Sequence, residues 1–210
     1  MYVTANNANP ASPGILGLFG FAFATFLANL GNLGLIQTSD LTVGTAIFLG
    51  GVAQVLAGIL SYTSRDLFGL TTYTAFGLFW TNSGVETLLL TTGKIQAAGA
   101  TANFWYLLLW TVVIFALLGA SLKTTWALIS ALVFADLLLA GLAFGTLTGS
   151  AMLIKFGAVC GLISAVLALY MAIGNLWNLT YGRTILPQGE RSSSSPSLQR
   201  PVVGPRQVQC

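Results

Sequence analysis

The sequence predicts an all-α polytopic membrane protein with six transmembrane helices and both termini in the cytoplasm, and three observations predict it. First, 55% of the 210 residues are hydrophobic and only 6% are charged, with a mean hydropathy of +0.83, where a soluble domain carries roughly 25% charged residues. There are too few charges to cover a water-facing surface. Second, six apolar runs follow one another, each near or above the roughly 20 residues that cross a bilayer core. Third, the breaks between them are polar, and most are too short to join anything but antiparallel neighbours.

The first run spans residues 14 to 36 and follows a segment, MYVTANNANPASP, that lacks the basic region of a cleaved signal peptide. It is read as a permanent span. The others cover residues 41–62, 67–90, 104–122, 125–147 and 151–177. The breaks carry turn chemistry or charge: Gln37-Thr38-Ser39-Asp40, Thr63-Ser64-Arg65-Asp66, the longer stretch from Thr91 to Asn103, Lys123-Thr124 and Thr148-Gly149-Ser150. An even number of spans puts both termini on one side. That side carries Arg65, Lys123, Arg183 and the tail arginines, against Lys94 and Lys155 opposite, so the positive-inside rule makes it cytoplasmic. The expected organisation is a polar N-terminal segment (1–13), a six-helix transmembrane domain (14–187) and a disordered cytoplasmic tail (188–210) of Ser, Pro, Gln and Arg, a composition that buries no apolar area.

Composition also excludes functions. Up to Glu190 the acidic and basic residues balance, so the net charge of +3 comes from the tail and offers no surface for nucleic acid. The chain has no histidine and two cysteines, Cys160 and Cys210, set far apart. That argues against a metal site, a cofactor or an enzyme's general base.

Glycines fall in helical register at 14, 17 and 20 and again at 141, 145 and 149. Small residues three or four apart let helices approach closely in lipid, within the bundle or between subunits. Polar residues inside spans say more about function. Thr25, Asn29 and Asn32 in the first, Gln54 in the second, and Thr71, Thr72, Thr74, Asn82 and Ser83 in the third can bond across helices or line a polar path. Two acids lie within spans. Glu86, a turn from the end of the third, reads as a side chain reaching the interface. Asp136, about 18 Å deep by helical rise, reads as a functional group, since a mid-membrane acid costs about 2.5–3.5 kcal/mol on insertion scales. Proton coupling and a bridge to Lys155 are its two readings.

Several motifs occur in order along residues 12–190: Pro13 with Leu16-Gly17-Leu18-Phe19-Gly20-Phe21; Asn29-Leu30 and Asn32; Gly50-Gly51-Val52-Ala53-Gln54 with Ala57-Gly58; Phe68-Gly69-Leu70-Thr71, Phe76-Gly77 and Phe79-Trp80; and Tyr170, Ala172, Gly174, Asn178 and Gly182-Arg183-Thr184-Ile185-Leu186-Pro187. Together they resemble the acetate uptake transporter family, which includes the bacterial succinate/acetate permeases and fungal and archaeal relatives. The resemblance implies a plasma-membrane protein, a homo-oligomer, specifically a hexamer, with a path for acetate or a related carboxylate in each subunit. It also implies a hydrophobic constriction, placed at Phe21, Phe76 and Ala135. Phe76 stands where a bacterial permease has Tyr and Ala135 where it has Leu, which implies a wider, drier constriction, and the opening motif departs at Ser12, Gly14 and Ile15.

This assignment is chemically coherent. Acetate's methyl group tolerates an apolar ring, while its carboxylate needs donors once it loses water. Phe21 and Phe76 then gate by dewetting, and Thr25, Asn29, Gln54 and Thr71 supply hydroxyl and amide donors. Transport by channel or proton symport is the first reading, with Asp136 as the candidate proton carrier. The alternative is a membrane sensor or regulatory subunit of acetate or ammonium physiology. An ammonia path lacks the histidine pair to line it.

Overall fold

The computed structural model describes residues 12–190. Most of the polar N-terminal segment and residues 191–210 of the tail, with the disorder expected there, lie outside the described residues. Six long helices make up the described chain: α1 (Pro13–Asn32), α2 (Asp40–Thr63), α3 (Leu67–Thr91), α4 (Ala100–Ser121), α5 (Trp126–Thr148) and α6 (Ala151–Tyr181).

Their ends follow from local chemistry. Pro13 occupies the first turn of α1, where its missing N–H is no loss. Ser39 and Thr42 form a reciprocal capping box at α2, Thr42 N–H donating to Ser39 Oγ and Ser39 N–H to Thr42 Oγ1. Asp66, Thr125 and Ser150 accept a backbone N–H at the starts of α3, α5 and α6. Gly149 ends α5 with φ +66 and Gly182 ends α6 with φ +63, left-handed positions that glycine takes without strain.

Five of the six helices are long and apolar enough to cross a membrane. The exception, α3, has 25 residues but is diluted by Thr71, Thr72, Thr74, Thr81, Asn82, Ser83, Glu86 and Thr87. The helix richest in polar groups is thus the one that reads least like a span.

In space the helices form a ring in the order α4, α5, α6, α1, α2, α3, each packed on the next, while α3 and α4 barely approach each other. Close approach is achieved by small residues, as expected. Gly14 and Gly17 receive the ring of Tyr73, Gly20 meets the carbonyl of Leu49, and Gly141 faces Gly157 across the α5–α6 seam. Gly149 departs from that expectation, serving as a helix cap with nothing within 4 Å of where a Cβ would stand. Within α2, Thr45–Ala53 is wound as a π-helix, a rare and wider coil that often marks functional positions. Its Gly50 and Gly51 lie against Trp80 and Thr81 of α3.

Residues after α6 fold back onto it. Asn178 Oδ1 accepts from the N–H groups of Ile185 (2.6 Å) and Leu186 (3.1 Å), and Gln188 Nε2 donates to Asn175 Oδ1 (2.6 Å). The N–H groups of Trp126 and Ala127, unpaired within α5 because they open it, donate to Gly189 and Gln188 carbonyls. Residues 188–190, assigned to the tail from the sequence, are therefore tied to the bundle. Ser12 and Glu190 line one cleft, so both ends of the described chain meet at the same end of the ring, called proximal below.

Candidate functional site

The middle of the ring is closed by side chains. Phe21 of α1 and Phe76 of α3 meet edge to face, with ring centroids 5.0 Å apart at 62°, a favoured aromatic geometry. Phe76 is buried and Phe21 half-buried. Both belong to one apolar cluster with Ala135, Leu132 and Leu139 of α5 and Leu107 and Ile114 of α4. Phe21, Phe76 and Ala135 thus come together from three helices. On the proximal side of Phe21 a second cluster holds Leu18, Ala131 and Met171, with Tyr73 against them. Across the open α3–α4 seam, Phe79 stacks on Tyr106 and meets Trp110 at 5.2 Å.

The polar candidates divide by what their hydrogen-bonding groups do. Most described threonines within α3–α6 bond a carbonyl one turn back on their own helix, as Thr71, Thr81, Thr111 and Thr146 do. Thr25 does not. It is fully buried one turn distal to Phe21, and its Oγ1 has no partner. Gln54 is also fully buried with neither amide atom bonded, its Cγ close to Gly20, in the α1–α2 seam beside the Phe21 turn. A buried polar group left unpaired costs about 1–3 kcal/mol, so these groups are poised for a visiting partner.

Asn29 is buried too, but its Nδ2 donates to the Thr25 carbonyl at 2.8 Å and its Oδ1 accepts from Asn32 at 3.2 Å. Its side chain is pressed against Gly161 of α6. Asn29 therefore shapes the wall and retains only one N–H for a substrate. Thr71 is exposed, its hydroxyl satisfied by the Leu67 carbonyl, and the structure does not bring it to the constriction. Its neighbour Thr72 is buried on the Phe76 face with an unpartnered Oγ1.

Asp136 follows Ala135 and so projects about 100° further round α5, off the constriction. Its Oδ1 is buried without a hydrogen-bond partner, while Lys155 is exposed, so the bridge weighed from the sequence does not account for that oxygen. Glu86 is half-buried in a cleft between α3 and α4, beside Asn82, which donates to Tyr106 at 3.0 Å.

At the distal end a cavity of about 280 Å³ opens between α1, α2 and α3, lined by Asn32, Thr38, Thr42, Ser83 and Thr87 and floored by Trp80. The Trp80 indole N–H is buried and unpartnered. This lining has donors and no charge, suited to receiving a small anion. Sequence reasoning read Trp80 and Thr72 only as a motif letter and a generic polar residue. The signal available for Thr72 was its four-residue spacing to Phe76; none existed for the Trp80 nitrogen.

Comparison with known proteins gives a consistent picture. The profile of the GPR1/FUN34/yaaH family matches residues 1–189. The succinate-acetate/proton symporter SatP of Escherichia coli (strain K12) is 37% identical over 150 residues, covering 71% of this chain and 80% of that protein. Ammonia transport outward protein 3 of Saccharomyces cerevisiae is 30% identical over 128 residues, covering 59% of this chain and 46% of that one. Among solved structures, that of the bacterial acetate channel SatP superimposes with a TM-score of 0.83 at 36% identity, covering 86% of this chain and all of that one.

Proposed function

We propose, since this chain belongs to the GPR1/FUN34/yaaH family, that it carries acetate and related small carboxylates across the plasma membrane along a path that narrows between Phe21 and Phe76. It is a multi-pass membrane protein, and its relatives are transporters and a channel rather than enzymes. These two do not favour the sensor reading.

The observation that supports the path is the Phe21–Phe76 contact at the ring's centre, approached through the uncharged distal cavity and flanked by the unpartnered Thr25 hydroxyl. An anion entering there exchanges water for neutral donors and then crosses an apolar neck. Neutral donors bind weakly enough for release, which conduction requires. In this reading α3 is the sixth crossing, both termini are cytoplasmic and the protein assembles as a hexamer.

The test is uptake of labelled acetate by the purified protein in liposomes, with succinate and ammonium as competitors. Saturable acetate flux that ammonium leaves unchanged is expected. Flux of ammonium without acetate would replace this reading with that of the yeast relative's name.

Proton coupling is assigned to Asp136, whose buried carboxylate oxygen lacks a protein partner. Asp136→Asn keeps the shape and removes the titratable group. The expected result is acetate uptake that no longer responds to pH, after subtraction of leak through protein-free liposomes. A pH response equal to wild type would leave Asp136 a structural residue.

A further inference from the structure

We propose that the Thr72 hydroxyl is the hydrogen-bond donor that receives a carboxylate on the proximal side of the Phe21–Phe76 constriction, and that it favours monocarboxylates there. The inference rests on the transport reading above and adds to it a residue and a preference.

Thr72 lies on one face of α3 between Phe68 and Phe76, each four residues away and so one turn above or below it. Both phenylalanines pack in the cluster that closes the ring. Thr72 is thus a hydroxyl in an otherwise aromatic stripe, and it is only 6% exposed. Four other threonines of the same helix, Thr71, Thr81, Thr87 and Thr91, donate to carbonyls of their own preceding turn at 2.7–3.0 Å. Thr72 does not, and its Oγ1 has no partner at all. A hydroxyl that neither bonds its own helix nor reaches water keeps its donor free.

Position gives that donor its role. Because α1 and α3 run in the same direction, Thr25, one turn beyond Phe21, lies distal to the ring contact. Thr72, one turn before Phe76, lies proximal to it. Each is about 6 Å along its helix from the neck. The constriction is therefore bracketed by two buried, unpartnered hydroxyls, one on each side. An acetate handed from one to the other crosses the aromatic contact with its methyl in an apolar surrounding and its carboxylate bonded before and after.

The same geometry disfavours a dicarboxylate. Every lysine and arginine among the described residues, Arg65, Lys94, Lys123, Lys155 and Arg183, is exposed, so none is buried beside the neck. With one carboxylate on Thr72, a second a few ångströms away would lie among Phe68, Phe76 and Leu18 side chains, where an unpaired charge is very costly.

The test is initial acetate uptake against concentration in proteoliposomes for wild type, Thr72→Val, Thr72→Ala, Thr72→Ser and Thr71→Val, each confirmed folded by size-exclusion elution. Thr72→Val should raise the apparent KM for acetate about tenfold while holding the maximal rate within about twofold, as loss of one hydrogen bond to a charged group implies. Thr72→Ala should do the same without a branched side chain, Thr72→Ser should restore the wild-type KM, and Thr71→Val should change nothing. A merely structural role would lower the maximal rate or the yield and leave KM alone. Wild-type KM in Thr72→Val and Thr72→Ala, alongside saturable wild-type flux, overturns this inference by itself. Absence of saturable flux in the wild type overturns the transport reading and this inference with it.

Discussion

Phe21→Ala is expected to raise acetate flux about tenfold and to let chloride through. A dewetted neck blocks ions because water leaves it, so an anion must shed its shell to cross. Each 1.36 kcal/mol removed from such a barrier is a factor of ten in rate. Deleting the ring that meets Phe76 at 5.0 Å opens room for water and removes at least that much. Phe21 is the cleaner position because it is half-buried, whereas truncating the buried Phe76 costs about 3–5 kcal/mol of stability and should give the same leak at lower yield. Chloride efflux followed with a selective electrode, beside acetate counterflow, reads both effects. Unaltered acetate flux with chloride still excluded would move the neck away from Phe21.

Much of this was legible in the sequence, and the limits of that reading are physical. Most span ends were legible to within one residue because caps are local: Ser39, Asp66, Thr125 and Gly149 act within one turn of themselves. Three ends differ, the first helix stopping at Asn32 and not residue 36, the fourth starting at Ala100 and not 104, and the last running on to Tyr181 past residue 177. Phe21 and Phe76 were found only by resemblance, since thirteen phenylalanines in apolar runs are indistinguishable by composition. Thr71 and Thr72 mark where the reading stopped. Adjacent threonines differ by 100° around a helix, and α3 touches α1, α2 and the central cluster, so no single apolar stripe reveals which of the two faces inward. Asn29 was only partly legible, for another reason. Its type suggested a lining residue, but its bonds to Thr25 and Asn32 depend on a pocket made by a glycine 132 positions away. The π-helical stretch of α2 has no sequence pattern of its own, because its hydrophobicity is uniform around the axis.

That long-range dependence makes Gly161→Ala a damaging single-methyl change. A Cβ at residue 161 would fall within van der Waals overlap of the Asn29 side chain, including its Oδ1 at 2.8 Å. Flexible side chains usually yield to such a contact, but this one is 1% exposed and held at both ends by Thr25 and Asn32. Overpacking a site that cannot relax costs about 1–3 kcal/mol, which outweighs the gain of up to about 1 kcal/mol from replacing glycine in a helix. Moving Asn29 also pushes on the turn that carries Thr25, so acetate flux should fall together with the unfolding temperature. The double substitution Asn29→Ala/Gly161→Ala removes the overlap. It should be more stable than the sum of its single changes by about 1 kcal/mol or more, the coupling expected of residues in direct contact. Thermal unfolding in detergent of the two single variants and the double one measures this directly. Strict additivity would mean that Asn29 and Gly161 do not touch, and the α1–α6 seam that positions the distal half of the path would have to be packed in another register.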